Sequence, residues 1–175
     1  SLILWFFFDK SLGSFQFCTS QVWFLEYSLT FSLGVDGISL FFVILTTLLI
    51  PICLLISWTS VNHSLKIYLV LFLIMESMLI GVFCILDILL FYIFFESVLI
   101  PMFLIIGIWG SRERKIRASF LFFLYTLFGS VSMLLSILYI YYQSGTTDYK
   151  VLLSFSFSFF EKKFFLYDLI NQRLV

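Results

Sequence analysis

Charge is what this sequence has least of: Lys, Arg, Asp and Glu make up 11% of its 175 residues, against about a quarter in an ordinary soluble domain. The ten basic and ten acidic side chains cancel to a formal net charge of zero, so there is no polybasic surface of the kind that holds nucleic acid by displacing counterions. Histidine occurs once, as His63, and cysteine three times, as Cys18, Cys53 and Cys84, with no CxxC pair. That provides no cluster of nitrogen and sulfur ligands for zinc or an iron–sulfur centre, and the chain is expected to carry no cofactor of its own. Cys53 and Cys84 fall in apolar runs, where a thiol packs as a small hydrophobe. Alanine is nearly missing too, Ala118 being the single one, while Phe, Leu, Ile, Tyr and Ser dominate. Such usage fits the AT-rich coding of organelle genomes.

What the chain has in excess is apolar surface. Hydrophobic residues make up 62% of it, 25 residues are Phe, and the mean hydropathy is +1.14. A chain this short has too little polar surface to wrap such a core in water, so its solvent is expected to be lipid. Crossing a hydrocarbon layer of roughly 30 Å takes about 20 apolar residues in a helix. Four runs meet that length, at about 38–58, 67–86, 88–109 and 118–142. The period-2 alternation of barrel strands is absent. The pattern therefore predicts an all-α membrane protein of four transmembrane helices, with Pro51 and Pro101 kinking the first and third.

The ends read differently. Residues 2–8 are apolar but stop at Asp9 and Lys10, too short to span and expected to be the end of a truncated helix. Residues 11–35 mix Ser, Gly, Gln and Thr with aromatics, as in a wet loop or an interfacial segment, and Asp36 is placed to cap the first long helix. After a polar exit at 143–148, residues 151–175 combine short apolar stretches with Glu161, Lys162, Lys163, Asp168 and Arg173, as either an interfacial amphipathic helix or a second truncated element. The predicted organisation is a helix end and outer loop over 1–37, a four-helix block over 38–143, and a divergent tail over 144–175.

Loop charges orient the block. Lys66 and the cluster Arg112, Arg114, Lys115 and Arg117 lie in loops on one face, which the positive-inside rule assigns to the cytoplasm or matrix. The cluster is expected to set topology and meet lipid headgroups, or to dock a partner or cardiolipin on that side. Trp58 and Trp109 fall at the same level, as an aromatic belt would place them. His63 reads as a loop residue near the interface, with proton shuttling at the surface its alternative role.

Glu76 and Glu96 stand near the middle of the second and third runs. A charge at that depth costs about 2.5–3.5 kcal/mol on insertion scales and is seldom kept without a use. Both residues are candidates for a proton relay, against the plainer role of a neutral carboxyl bridging helices. The tight turn at Asp87 makes the two runs antiparallel neighbours and sets Glu76 and Glu96 at similar depth, where they are expected to share a polar pocket. Tyr92, one helical turn before Glu96, is either a hydrogen-bond donor to it or a packed aromatic.

These residues also carry a resemblance. The segments FFESVLIPMFLIIGIWGSRERKI from Phe94, LGVDGISLFFVILTTLLIPI from Leu33 and FFLYTLFGSVSML from Phe122 closely resemble subunit 4 of the mitochondrial NADH:ubiquinone oxidoreductases, respiratory complex I, as found in plants, algae and protists. The resemblance implies a part of an antiporter-like, proton-pumping bundle in the inner membrane, without cofactor. It implies that Glu96 is the carboxylate that pairs with a lysine of a later, broken helix, that Glu76 is a further membrane carboxylate, and that Arg112 to Arg117 face the matrix. The family's first helix, most of its second and the lysine-bearing helix have no counterpart here, so the partner lysine is expected from a separate chain, with other membrane-arm subunits as neighbours. Two further readings stay open: a structural remnant that fills the membrane arm without conducting protons, and an independent four-helix transporter or channel.

The orientation has a direct test. With Ser111→Cys, a membrane-impermeant thiol reagent applied to the outer face of intact inner membranes is expected to leave position 111 unmodified, and to modify it once the membranes are opened; modification from outside reverses the assignment.

Overall fold

The computed structural model describes residues 2–9, 11, 14–24, 29–61 and 63–154. In chain order these form helix α1 (Leu2–Phe7), strands β1 (Gln16–Phe24) and β2 (Leu29–Val35), helices α2 (Gly37–Ser60), α3 (Leu65–Cys84), α4 (Ile88–Trp109) and α5 (Lys115–Ser144), and the short helix α6 (Tyr149–Ser154). Helices α2 to α5 are four segments long and apolar enough to cross a membrane, so the protein is a helical membrane protein. The sequence reading of the tail beyond residue 154 lies outside the described residues.

The segment expected as a wet or interfacial loop is instead an antiparallel hairpin of β1 and β2, with irregularities between Gln16 and Thr19 and between Val22 and Phe24. The polar Ser, Gln and Thr residues that suggested a loop are also acceptable strand residues where one face meets water. Pairing lets the backbone groups of this segment satisfy one another. The hairpin ends at Asp36, which caps α2 as predicted: its carboxyl accepts from the Gly37 amide at 2.7 Å, and the Ser39 hydroxyl accepts from the Asp36 amide at 2.7 Å.

Each long helix packs on the next in sequence, α2 on α3, α3 on α4 and α4 on α5, with no comparable contact closing α5 back on α2. The block is therefore an open row. Small residues bring its helices close: a Cβ on Gly81 of α3 would lie 2.5 Å from the Phe94 ring of α4, and one on Gly107 of α4 would lie 3.3 Å from the Ser119 hydroxyl of α5. The outward faces stay apolar, as in Leu55, Leu73, Ile100, Leu124 and Phe128, which is the arrangement that lipid or further helices accept at no desolvation cost. Both prolines are accommodated inside continuous helices, α2 around Pro51 and α4 around Pro101.

Several helix ends differ from the sequence reading by two or three residues: α2 runs on to Ser60, and α3 starts at Leu65 and stops at Cys84, so Lys66, expected in a loop, lies in the first turn of α3. Helix α5 begins at Lys115, three residues early, so Lys115 and Arg117 occupy its first turn and only Arg112 and Arg114 remain in the connecting turn. At the other end α5 runs to Ser144 and stops at Gly145, whose φ of 70° is the left-handed geometry that glycine adopts most cheaply.

The ends opposite the basic turn are joined through Asp87. This side chain is 1% exposed. Its Oδ1 accepts from the amides of Leu89 and Leu90 at 2.9 and 3.1 Å, capping α4, while its Oδ2 accepts from the Thr147 hydroxyl at 2.5 Å. Around it the Leu86 amide donates to the Ser32 carbonyl, the Ile88 amide to the Thr147 carbonyl and the Tyr149 amide to the Leu86 carbonyl. Hairpin, α3–α4 turn and the exit from α5 thus meet at one place. Asp87→Ala removes a cap and leaves two amides and a hydroxyl without their acceptor; the expected loss is about 3 kcal/mol, with Asp87→Asn losing clearly less because its carbonyl oxygen still caps. Heat-induced unfolding of the detergent-solubilised protein measures both.

Candidate functional site

The carboxyl of Glu96 opens onto a cavity of about 280 Å³ lined by Tyr92, Ile93, Glu96, Ser97 and Ile100 of α4 and by Phe123 of α5. The α4 residues recur at the spacing of one helix face. Helical rise places Glu96 about 12 Å from the α4 start at Ile88 and about 20 Å from its end at Trp109, so the site lies inside the membrane-spanning segment. Glu96 Oε2 is buried and has no hydrogen-bond partner. An unsatisfied carboxyl oxygen at such depth is costly, which marks it as a group waiting for a donor or a cation.

Backbone chemistry adds to the polarity of this face. Pro101 has no N–H to give to the Ser97 carbonyl one turn earlier, so that carbonyl loses its ordinary helical partner. The Ser97 hydroxyl is turned back to the Ile93 carbonyl at 2.7 Å. Tyr92 lines the cavity without bonding the free Glu96 oxygen. Glu76 sits half-buried on α3 and is not among the cavity-lining residues. Glu76 is thus not placed at this cavity, which takes its second wall from α5. Similar depth on neighbouring helices did not bring it there, because the Glu96 cavity faces α5 and not α3.

At the basic end, Arg112, Arg114 and Arg117 are exposed. Lys115 is half-buried, and its Nζ donates to the Ile108 carbonyl at 2.6 Å. There it satisfies a free carbonyl in the last turn of α4 and places a cation at the negative end of that helix. Trp109 Nε1 donates to the His63 carbonyl at 2.8 Å, its ring meets Tyr68 edge-on at 5.3 Å, and the Tyr68 and Ser57 hydroxyls are 2.9 Å apart. These contacts tie α2, α3 and α4 together under the basic turn, with the backbone of His63 rather than its imidazole taking part.

Two groups of residues escaped the sequence reading. Asp87 followed by an apolar run carries the signature of an N-cap, which identifies the cap but not the hydrogen bond to Thr147, 60 residues away. Phe123 is one of 25 Phe residues, and nothing in the pattern separates it from the others.

Residues 85–170 match the family described as NADH:quinone oxidoreductase/Mrp antiporter, TM. Over 158 residues the chain is 59% identical to NADH-ubiquinone oxidoreductase chain 4 of Chondrus crispus and 60% identical to that of Arabidopsis thaliana, matches that cover 90% of this chain and 32% of each relative. Among solved structures, a chain of respiratory complex I from Thermus thermophilus superposes with a TM-score of 0.73 at 28% identity, over 90% of this chain and 33% of that one. The chain thus spans about a third of the length of the curated relatives it matches. In sequence it is similar to chain 4 of NADH-ubiquinone oxidoreductase over about a third of that protein's length, and in fold to a chain of respiratory complex I.

Proposed function

We propose that the chain is one piece of a proton-translocating, antiporter-like subunit 4 of respiratory complex I, in which Glu96 carries the proton and other chains complete the bundle. The observation that carries this reading is the buried, unpartnered Glu96 Oε2 beside a cavity on α4. A carboxyl at this depth whose oxygen has no partner within the described residues is the group on this face suited to relay a proton. The open row of helices supports the second half of the reading, because it leaves apolar faces for further helices to cover. On this reading the cation beside Glu96 is a lysine of a separate chain, and neighbouring subunits of the membrane arm couple its charge to quinone reduction elsewhere. Glu76 serves as a further carboxyl of the path, reached through those neighbours and not through the Glu96 cavity.

The same reading places the protein in the mitochondrial inner membrane with the turn at Arg112 on the matrix side. Arg112, Arg114 and Arg117 then meet anionic headgroups such as those of cardiolipin. Lys115 is left to the α4–α5 joint. The alternative is a structural remnant that occupies this place without conducting. It is favoured by the same tight joints at Asp87 and Trp109, which a spacer would need as much as a pump.

Glu96→Gln separates the two. The amide keeps the shape and the burial but does not titrate. The proton-carrying reading expects a fully assembled complex whose protons pumped per electron fall, whereas unchanged pumping at normal assembly assigns the chain to the structural class.

A further inference from the structure

The surroundings of Glu96 are unequal in the two directions along α4. Toward Asp87, the cavity is lined by Tyr92, one turn away, and α4 itself begins at a polar joint. Toward the basic turn, the 11 positions from Val98 to Ile108 hold no side chain able to hydrogen-bond through oxygen or nitrogen. The facing stretch of α5 is similar: Phe120, Leu121, Phe122, Phe123 and Leu124 follow the buried Ser119. Phe123 is the lining residue that α5 contributes to the cavity. Its ring packs against Phe103 of α4 at 5.5 Å, and Phe103 is wedged edge-on against Phe120 at 5.2 Å. Three rings from two helices, with Phe120 exposed on its outer side, therefore line the seam between α4 and α5 on the side of Glu96 that faces the basic turn.

The geometry points to Phe123 as an access-determining residue, a dry seal, held in place by Phe103 and Phe120, that keeps water at the basic end from reaching Glu96 along the α4–α5 seam. The physical ground is that a chain of water needs polar partners at each step, and between the Ser97 carbonyl beside Glu96 and the Ser119 hydroxyl facing Gly107 the seam offers only aromatic and aliphatic side chains. Glu96 then exchanges protons with the basic side only by a route built from elements outside this pair of helices. This rests on the proton-carrying reading for its purpose, but the seal itself is a matter of access and is measured without pumping.

The experiment compares two carbodiimides on inner membranes holding the assembled complex: dicyclohexylcarbodiimide, which enters lipid, and a water-soluble cationic carbodiimide supplied at the basic face. Both need the same protonated acid, so the ratio of their adducts on the Glu96 peptide, read by mass spectrometry, reports access alone. The unaltered chain is expected to be modified by the lipid-soluble reagent and spared by the water-soluble one. Phe123→Ser is expected to raise the water-soluble to lipid-soluble ratio several-fold, while Phe123→Leu, which keeps an apolar side chain, leaves it low. If Phe123→Ser does not assemble, Phe103→Ala removes the wedge from the other helix and is expected to raise the ratio in the same direction. A ratio that stays low in whichever of these variants assembles, or one that is already high in the unaltered chain, overturns the seal. Either result leaves the role of Glu96 to the separate test by Glu96→Gln.

Discussion

The Asp87 carboxyl is the interaction on which the arrangement of the chain depends. A membrane helix must satisfy its own backbone, and the places where it is weakest are its ends, where four amides or four carbonyls lack helical partners. At the start of α4 that need is met by Asp87, and because its second oxygen is held by Thr147, the cap of one helix also anchors the exit of another. The hairpin joins the same place through Ser32, so the helix starts of α2 and α4 and the end of α5 are fixed at a common level. The basic end is held by a different set of donors, the indole of Trp109 and the ammonium of Lys115, each reaching a backbone carbonyl. With both ends pinned, close helix contacts at Gly81 and Gly107 need only small residues and bring no polar cost into the hydrocarbon.

Much of this was legible in the sequence because lipid restricts what a chain can do. Runs of about 20 apolar residues have one stable form in hydrocarbon, and the four helices fall where those runs do. Asp36 as a cap and Glu96 as a carboxyl inside the membrane-spanning segment are equally visible, since a charged residue beside or inside an apolar run stands out against it. What was not legible is whatever depends on contacts between distant segments. The hairpin at 16–35 has no sustained alternation to announce it and is fixed by pairing and by its bond to Leu86. The ammonium of Lys115 goes to Ile108 because the turn between α4 and α5 is tight enough for the side chain to fold back. Equal depth suggested that Glu76 and Glu96 share a pocket, but depth is one coordinate and the facing direction of a helix is another.

On the proposed reading, the free oxygen of Glu96 links the fold to its use. Elsewhere in the described residues several intramembrane hydroxyls are turned back onto their own helices, as Thr46, Thr47, Ser97 and Thr126 are, each donating to a carbonyl three or four residues earlier. That is how a polar side chain lives in hydrocarbon at little cost. A carboxylate on the same helix has no such exit, because it has no proton to donate to a backbone carbonyl and the amides around it are already engaged. Its oxygen must look outward, across the cavity, for a donor or a cation from another element. The fold supplies a wall for that encounter on one side, the α4 face with Phe123 behind it, and leaves the opposite side to a neighbour. On the proton-carrying reading, the open row of four helices leaves its outer faces to further elements, and the partner of the Glu96 oxygen has to come from one of them.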